Sequence, residues 1–342
     1  MNISIIYFKS FLVSLLLSLI AVPVARYISI RLGHYDVPGG IKTHSGNVPL
    51  LGGVGVIFSF IVTLVIFRFF TSFPTGTLRE LRYIIIGGLL IFLIGFVDDL
   101  RKPIGIKAWV KFVIEVIIAV FMITRGFSID FIKPQYVAYF LTVLWIVGIT
   151  NALNIIDIMD GLCSSQVFIA SMAFFFITMP SEAVHVNFLS IVLAGAILGF
   201  IPYNLSNKYK IFLGDSGSLF CGFILSVVSL GAEYSDLNPL GVYAPVLILS
   251  IPIYDTLYVS YLRMKKGISP FTGTRDHFAL RFEAMGYGRR KIVIMATFFS
   301  VVMALLAYTA TLVRLWYGII IYLIAFIFFI FISKYISSVE ID

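Results

Sequence analysis

The sequence predicts an all-α polytopic membrane protein with about eleven transmembrane helices, the N-terminus outside and the C-terminus cytoplasmic. Three observations carry this. Of the 342 residues, 60% are hydrophobic and only 12% charged, with a mean hydropathy of +1.03, whereas soluble domains carry roughly 25% charge. The apolar residues gather in runs long enough for a helix to cross a hydrocarbon core about 30 Å thick. The lysines and arginines gather on alternate connections between those runs, as the positive-inside rule requires. In water, a chain this apolar would expose patches far larger than soluble monomers tolerate.

The runs fall at 4–28, 50–70, 83–98, 108–124, 137–153, 161–179, 186–203, 217–234, 241–262, 290–310 and 315–333. The first exceeds the roughly 7–15 residues of a secretory h-region and has neither a basic n-region nor a small-residue cleavage site, so it reads as a span. Short connections with turn residues such as Gly39-Gly40, Pro103 and Pro180 separate the runs. No linker or soluble insertion interrupts them, and residues 1–342 read as a single membrane domain. If the side holding Arg101 and Lys102 is inside, eighteen of the 25 lysines and arginines lie inside and seven outside. The formal charge of +8 is thereby concentrated where an anionic cytosolic substrate arrives. Cys163 and Cys221 sit in apolar surroundings and read as small buried hydrophobes.

Most aspartates fall at or near the inner ends of the runs: Asp36, Asp98, Asp99, Asp157, Asp160, Asp215, Asp255 and Asp276. Carboxylates at membrane depth are costly and tend to mark function. Asp98 and Asp99 close the third run, where acids oppose the helix macrodipole. In a partly dry site the adjacent pair requires a cation, a proton, or the neighbouring Arg101 and Lys102. Asn151, Asn154, Asp157 and Asp160 recur every third position. On a continuous α-helix Asn151 and Asp160 would face opposite ways, so their convergence requires the helix to end or tighten here, with Gly161 as the break.

Leu213-Gly214-Asp215-Ser216-Gly217-Ser218 precedes the eighth run. It suits either an ordinary N-cap or a helix start whose N–H groups meet a phosphate. The loop from Asp36 to Gly53 is basic and glycine-rich, and its Lys42 and His44 suit a phosphate. In the long inner loop from Arg263 to Lys291, His277 and Arg281 are spaced i,i+4 and would share a helical face. Lys107, Lys111 and Glu115 share a face of the fourth run, as an intrahelical pair or as a groove lining. His34 and His185 have no such companions.

Together these segments resemble the polyprenyl-phosphate N-acetylhexosamine-1-phosphate transferases. The ordered set is D-x-P-x-x-x-K-x-H…P-L-x-G-G from Asp36, the Asp98-Asp99 pair, N-A-x-N-x-x-D-x-x-D-G-L from Asn151, G-D-x-G-S from Gly214, and P-I-x-D-T from Pro252. The spacing of Asp36, Pro38, Lys42, His44 and Gly52-Gly53 resembles the GlcNAc-1-phosphate transferase branch more than the phospho-MurNAc-pentapeptide translocase. Two features depart from the family. Ile41 replaces an arginine, and the family's H-x-H-H-R reads His277-Phe278-Ala279-Leu280-Arg281, with two histidines missing.

The resemblance implies a glycan-initiating enzyme of the cell membrane, with its active site on cytoplasmic loops. It would move a sugar-1-phosphate from a UDP-N-acetylhexosamine to a polyprenyl phosphate and release UMP. It implies Mg²⁺, with Mn²⁺ as an alternative, held by Asp215 and the Asn154 side-chain oxygen. Asp98 would orient or deprotonate the lipid phosphate, and Asp99 would support the metal site. Asp157, Asp160 and Asn204 would hold the nucleotide sugar, while Lys42, His44, His277 and Arg281 would meet phosphates. A nucleic-acid partner is not expected, and a homodimer is allowed. A secondary transporter is the rival from another class, but it predicts inverted repeats and midplane binding, whereas these acids cluster at one face. A CDP-alcohol phosphotransferase would hold its aspartates in one motif, and a binding-only scaffold would have lost its nucleotide contacts.

Overall fold

The computed structural model describes residues 3–37, 46–71, 73–102, 104–181, 183–231, 234, 239–269 and 272–339. Each apolar run named above contains a helix among the described residues. The chain runs α1 (Ile3–Arg31), β1 (Tyr35–Asp36), β2 (Val48–Pro49), α2 (Gly52–Phe70), α3 (Thr77–Leu100), α4 (Ala108–Thr124) and α5 (Gln135–Ile155). It continues through α6 (Leu162–Thr178), α7 (Val184–Asn204), α8 (Gly214–Val228), α9 (Ala244–Ile248), α10 (Ser250–Lys265), α11 (Phe278–Ala284), α12 (Arg289–Leu312) and α13 (Leu315–Ile336). Seven of these helices are long and apolar enough to cross a membrane, and α6 and α8 are shorter apolar helices. The chain is therefore an all-α, multi-pass membrane protein.

The ninth run is not one straight helix. Residues Pro239–Ile248 and Ser250–Lys265 meet at a bend of 70°. Pro252 has no N–H to offer Ile248, so the ladder cannot continue straight through this point. The bend turns α10 towards the end of the bundle where α3, α5 and α7 finish and α4, α6, α8 and α12 begin.

At the centre stands α8, whose residues from Ser216 to Val228 are all buried. It packs against α2, α3, α5, α6 and α7, while α1 lies along α7. Lipid tails are as apolar as leucine, so helix pairing in a bilayer depends on close packing and interhelical hydrogen bonds. Both occur between α1 and α7. Ser14 Oγ donates to Val192 O at 2.7 Å and Ser18 Oγ to Ala196 O at 2.6 Å, opposite Gly195 and Gly199. The outer helix α13 instead turns Trp316, Phe326 and Phe331 outward, as a lipid-facing surface requires.

Two glycine motifs explain one another. Gly52 and Gly53 N–H groups donate to Phe212 O (3.0 Å) and Leu213 O (2.8 Å), tying the start of α2 to the start of α8. A Cβ on Gly53 would stand 2.4 Å from Gly217 N, so neither backbone could approach if this residue carried a side chain. P-L-x-G-G and G-D-x-G-S are two halves of one contact.

Candidate active site

Site residues from six connections meet at one end of the bundle. Helix α5 stops at Ile155, and the next residues form tight turns: Asp157 N–H reaches Asn154 O and Leu162 N–H reaches Met159 O. Gly161, with φ +82, turns the chain into α6. The expected end of the helix is thus where the spacing places it. It lets Asn154, Asp157 and Asp160 line one open cleft of about 260 Å³. Asp36, Lys102, Asn204, Lys210, Asp215, His277 and Arg289 line the same cleft. Asn151 does not join them. Its Nδ2 donates to Glu115 Oε2 and to Val147 O, so it braces α5 against α4.

Beside the cleft lies a charge cluster drawn from three helices and one loop. Lys102 Nζ sits 3.0 Å from Asp215 Oδ1 and 3.1 Å from Asp99 Oδ1. Lys111 Nζ, on α4, sits 2.8 Å from Asp215 Oδ2 and 3.5 Å from Asp98 Oδ2. Both Asp215 oxygens therefore face ammonium groups. Burial works against the charge on Lys102, but Asp215 and Asp99 more than offset it and raise its pKa. Asp98 also accepts the Ile106 N–H at 2.5 Å.

Asp99 shows why the G-D-x-G-S turn cannot be an open anion site. Asp215 and Ser216 N–H groups donate to its two carboxylate oxygens at 3.0 and 2.9 Å. The first donors of α8 are satisfied by a carboxylate of α3, so the turn is neither of the two alternatives its sequence suits, an Asp or Ser N-cap or a free phosphate-binding helix start. Gly214, with φ +75, has no space for a side chain, since a Cβ would lie 2.6 Å from Asp99 Oδ2.

The remaining expected residues divide by partner. Asp160 pairs with Lys210 at 2.5 Å. Burial pushes the Asp157 carboxyl up to about 7, with the Asp215 charge adding to this and Lys102 opposing it. Asn204 accepts the Gly161 N–H at 2.6 Å and donates to Ile211 O at 3.1 Å, so in this state its amide braces the 156–161 turn. Asn154 Oδ1 accepts from Ser218 Oγ at 2.7 Å. Lys42 and His44 lie outside the described residues.

His277 lines the cleft but precedes α11 in extended conformation, so it and Arg281 do not share a helical face. Arg281 is buried. Its guanidinium bonds Asp276 Oδ1 (3.0 Å), Val339 O (2.5 Å) and Ile336 O (3.3 Å), clamping α11 to the end of α13. The phosphate contact expected of Arg281 is replaced here by that clamp. Burial opposes ionisation of Asp276, but its bonds to Lys266 and Arg281 hold it below the usual carboxylate range. Of the two missing histidines, one position is the buried Ala279 and the other is Leu280, which gives the cleft an apolar wall.

Lys102 meets Asp99, as its place beside the acid pair suggests, but its second contact, to Asp215, and the approach of Lys111 are not visible in the sequence. The i,i+4 series Lys107, Lys111, Glu115 was the available signal, but it did not say that Lys111 turns to the acids while Glu115 turns to Asn151. Among the described residues no group of three or more His, Cys, Asp and Glu forms a complete metal cage. Mg²⁺ needs none, because it commonly binds through one or two carboxylates plus substrate phosphates. The all-oxygen donors of Asp215 and Asn154 fit that ion. The two ammonium groups on Asp215 also show that this carboxylate accommodates two positive charges.

A family model described as glycosyl transferase family 4 matches residues 81–233, which contain Asp98, Asp99, the Asn154–Asp160 turn and Asp215. A probable undecaprenyl-phosphate N-acetylglucosaminyl 1-phosphate transferase of Bacillus subtilis (strain 168) is 30% identical over 328 residues, 93% of this chain and 89% of its own. The undecaprenyl-phosphate alpha-N-acetylglucosaminyl 1-phosphate transferase of Escherichia coli (strain K12) is 26% identical, covering 88% of this chain and 84% of its own. That of Salmonella typhi is 28% identical, covering 89% and 84%. With its motifs gathered around one cleft and its length matched nearly end to end, the chain belongs to glycosyl transferase family 4, in the branch of these N-acetylglucosaminyl 1-phosphate transferases.

Proposed function

We propose that the protein transfers GlcNAc-1-phosphate from UDP-GlcNAc to undecaprenyl phosphate, releases UMP, and so begins a cell-envelope glycan. The observation that carries this reading is the cluster of Asp98, Asp99 and Asp215 stitched by Lys102 and Lys111 beside an open cleft at one end of the bundle. The names of the relatives supply the lipid and the sugar. The full topology belongs to the same proposal: residues 1–342 form one domain, with α4, α6, α8 and the bent Pro239–Lys265 pair joining the seven long helices as eleven spans. The positive-inside bias then puts the cleft in the cytoplasm, where a UDP-sugar is available.

The chemistry follows from charge. The acceptor is a phosphate monoester with a second pKa near 6, so at neutral pH it is mostly a nucleophilic dianion. The obstacle is bringing that dianion against a diphosphate, which costs roughly 3 kcal/mol per charge pair at 5 Å and an effective dielectric near 20. Held by Asp215 and Asn154, Mg²⁺ would supply positive charge against this repulsion. Lys102 and Lys111, already poised between carboxylates, stabilise charge on the transferring phosphoryl group. Asp98 orients the lipid phosphate. Asp157, Asp160 and Asn204 hold the nucleotide sugar, and His277, which lines the same cleft, meets the phosphates. Lys42 and His44 are assigned to the phosphates on the sequence motif alone. Direct in-line attack accounts for the reaction without a covalent step; trapping a phosphorylated Asp98 during turnover would overturn that route.

The test is UMP release by purified protein over a panel of UDP-N-acetylhexosamines, with and without undecaprenyl phosphate and Mg²⁺. Release with UDP-GlcNAc that requires both additions is expected. Folded protein that releases nothing with any sugar would refute the proposal.

A further inference from the structure

The P-I-x-D-T segment has no role in the reading so far, yet its aspartate is the most enclosed acid in the site region. Asp255 lies on α10, one turn after the 70° bend, and is 0% exposed. A buried carboxylate requires partners for both oxygens. Asp255 Oδ1 accepts the Phe278 N–H at 3.0 Å, and Oδ2 faces His277 Nδ1 at 2.8 Å. The first bond caps α11 from a neighbouring helix, since His277 makes no side-chain cap of its own. The second fixes a ring. The α10 helix that carries Asp255 is itself packed firmly: Tyr254 stacks on Tyr258 at 5.6 Å and on Phe329 at 4.9 Å, and the Arg281 guanidinium lies 5.7 Å from the Tyr258 ring centre.

We infer that Asp255 is a positioning residue. It holds His277 with Nδ1 protonated and directed at α10, so that Nε2 is the nitrogen presented to the cleft that His277 lines. An imidazole nitrogen beside a carboxylate is the donor, because an ionised carboxylate can only accept. Without Asp255 the ring could rotate or exchange tautomers, and the cleft would lose a nitrogen of defined direction and protonation. The catalytic consequence rests on the transferase reading; the orientation of the ring does not.

The experiment uses full-length protein in detergent with ¹⁵N-labelled histidine, of which the chain has four, and His277→Gln assigns the resonance. The wild-type spectrum is expected to show Nδ1 of His277 protonated at pH 7.5. In Asp255→Asn the carbonyl oxygen can still accept the Phe278 N–H, while the NH₂ now faces Nδ1. The ring is then expected to switch to the Nε2–H neutral tautomer. With UDP-GlcNAc and undecaprenyl phosphate, kcat should fall roughly 10–100-fold, the usual cost of losing such an outer contact, with KM changed less than about threefold. A wild-type His277 carrying its proton on Nε2 alone would overturn the inference. So would Asp255→Asn with unchanged resonances and unchanged kcat. If wild-type protein turns over no UDP-sugar, the transferase reading fails, while the spectra still decide the orientation.

Discussion

Replacing Asp99 by asparagine separates a structural role from a chemical one. The wild-type carboxylate accepts two backbone N–H groups, at 3.0 and 2.9 Å, and faces Lys102 Nζ at 3.1 Å, with its side chain fully buried. Asparagine keeps one accepting oxygen and turns the other into a donor, which must face either an N–H or an ammonium group. One charge-assisted bond, about 1.5–3 kcal/mol, is lost. One buried donor is left unsatisfied, at a further cost of about 1–3 kcal/mol. The total is about 2.5–6 kcal/mol, or roughly 5–12 °C in melting temperature at about 2 °C per kcal/mol. Asp98→Asn is the control. It retains the bond to the Ile106 N–H through one oxygen and loses only a 3.5 Å contact to Lys111, so its loss should stay below about 1 kcal/mol. The assay is thermal denaturation in detergent with EDTA, which removes cations and leaves only the fold. An Asp99→Asn melting temperature within 1 °C of wild type would refute the cap assigned to this carboxylate.

Other perturbations probe the same cluster. Lys102→Met leaves Asp99 and Asp215 short of a cation, a change that costs about 3–5 kcal/mol for buried pairs; the melting-temperature loss should be larger in EDTA than in Mg²⁺, and equal losses would count against a cation at Asp215. Asp157 gives a pH signature. Its folded pKa of about 7 lies above the unfolded 3.8, so the folded state prefers the protonated form and loses stability as pH rises from about 4 to 7. Asp157→Asn should therefore gain stability over wild type from pH 5 to 8, with a ceiling of about 4 kcal/mol, while its turnover falls; a constant difference across that range would contradict the assignment. Arg281→Ala should free the segment after Ile336 to limited proteolysis and lower the melting temperature, and an unchanged digestion pattern would argue against the clamp.

Much of the architecture was legible because a bilayer imposes one dominant rule: buried backbone must be helical, and about twenty apolar residues are needed to cross. The helix ends at Ile155 and Asn204 lie within two residues of the expected boundaries. The 70° bend was not foreseen, because 241–262 is apolar enough to read as one continuous span and Pro252 in such a run signals a kink without its size. Acids were easier to read than their partners. Asp98, Asp99 and Asp215 stand out against lipid, and Lys102 could be read as a partner of the adjacent acids, whereas the convergence of Lys102 and Lys111 on Asp215 appears only when α3, α4 and α8 are brought together. Arg281 misled for the opposite reason. Its i,i+4 spacing from His277 suggested one phosphate-facing surface, but the helix begins only at Phe278 and the guanidinium turns to the end of α13.

The measurement that bears most directly on the central claim follows the β-phosphate of the nucleotide sugar. UDP-GlcNAc labelled at that phosphorus is incubated with the purified protein, undecaprenyl phosphate and Mg²⁺. Transfer of a sugar-1-phosphate predicts that the label enters the lipid with the GlcNAc and that the soluble product is unlabelled UMP. Label recovered as UDP, with the sugar alone on the lipid, would show ordinary glycosyl transfer and contradict the account.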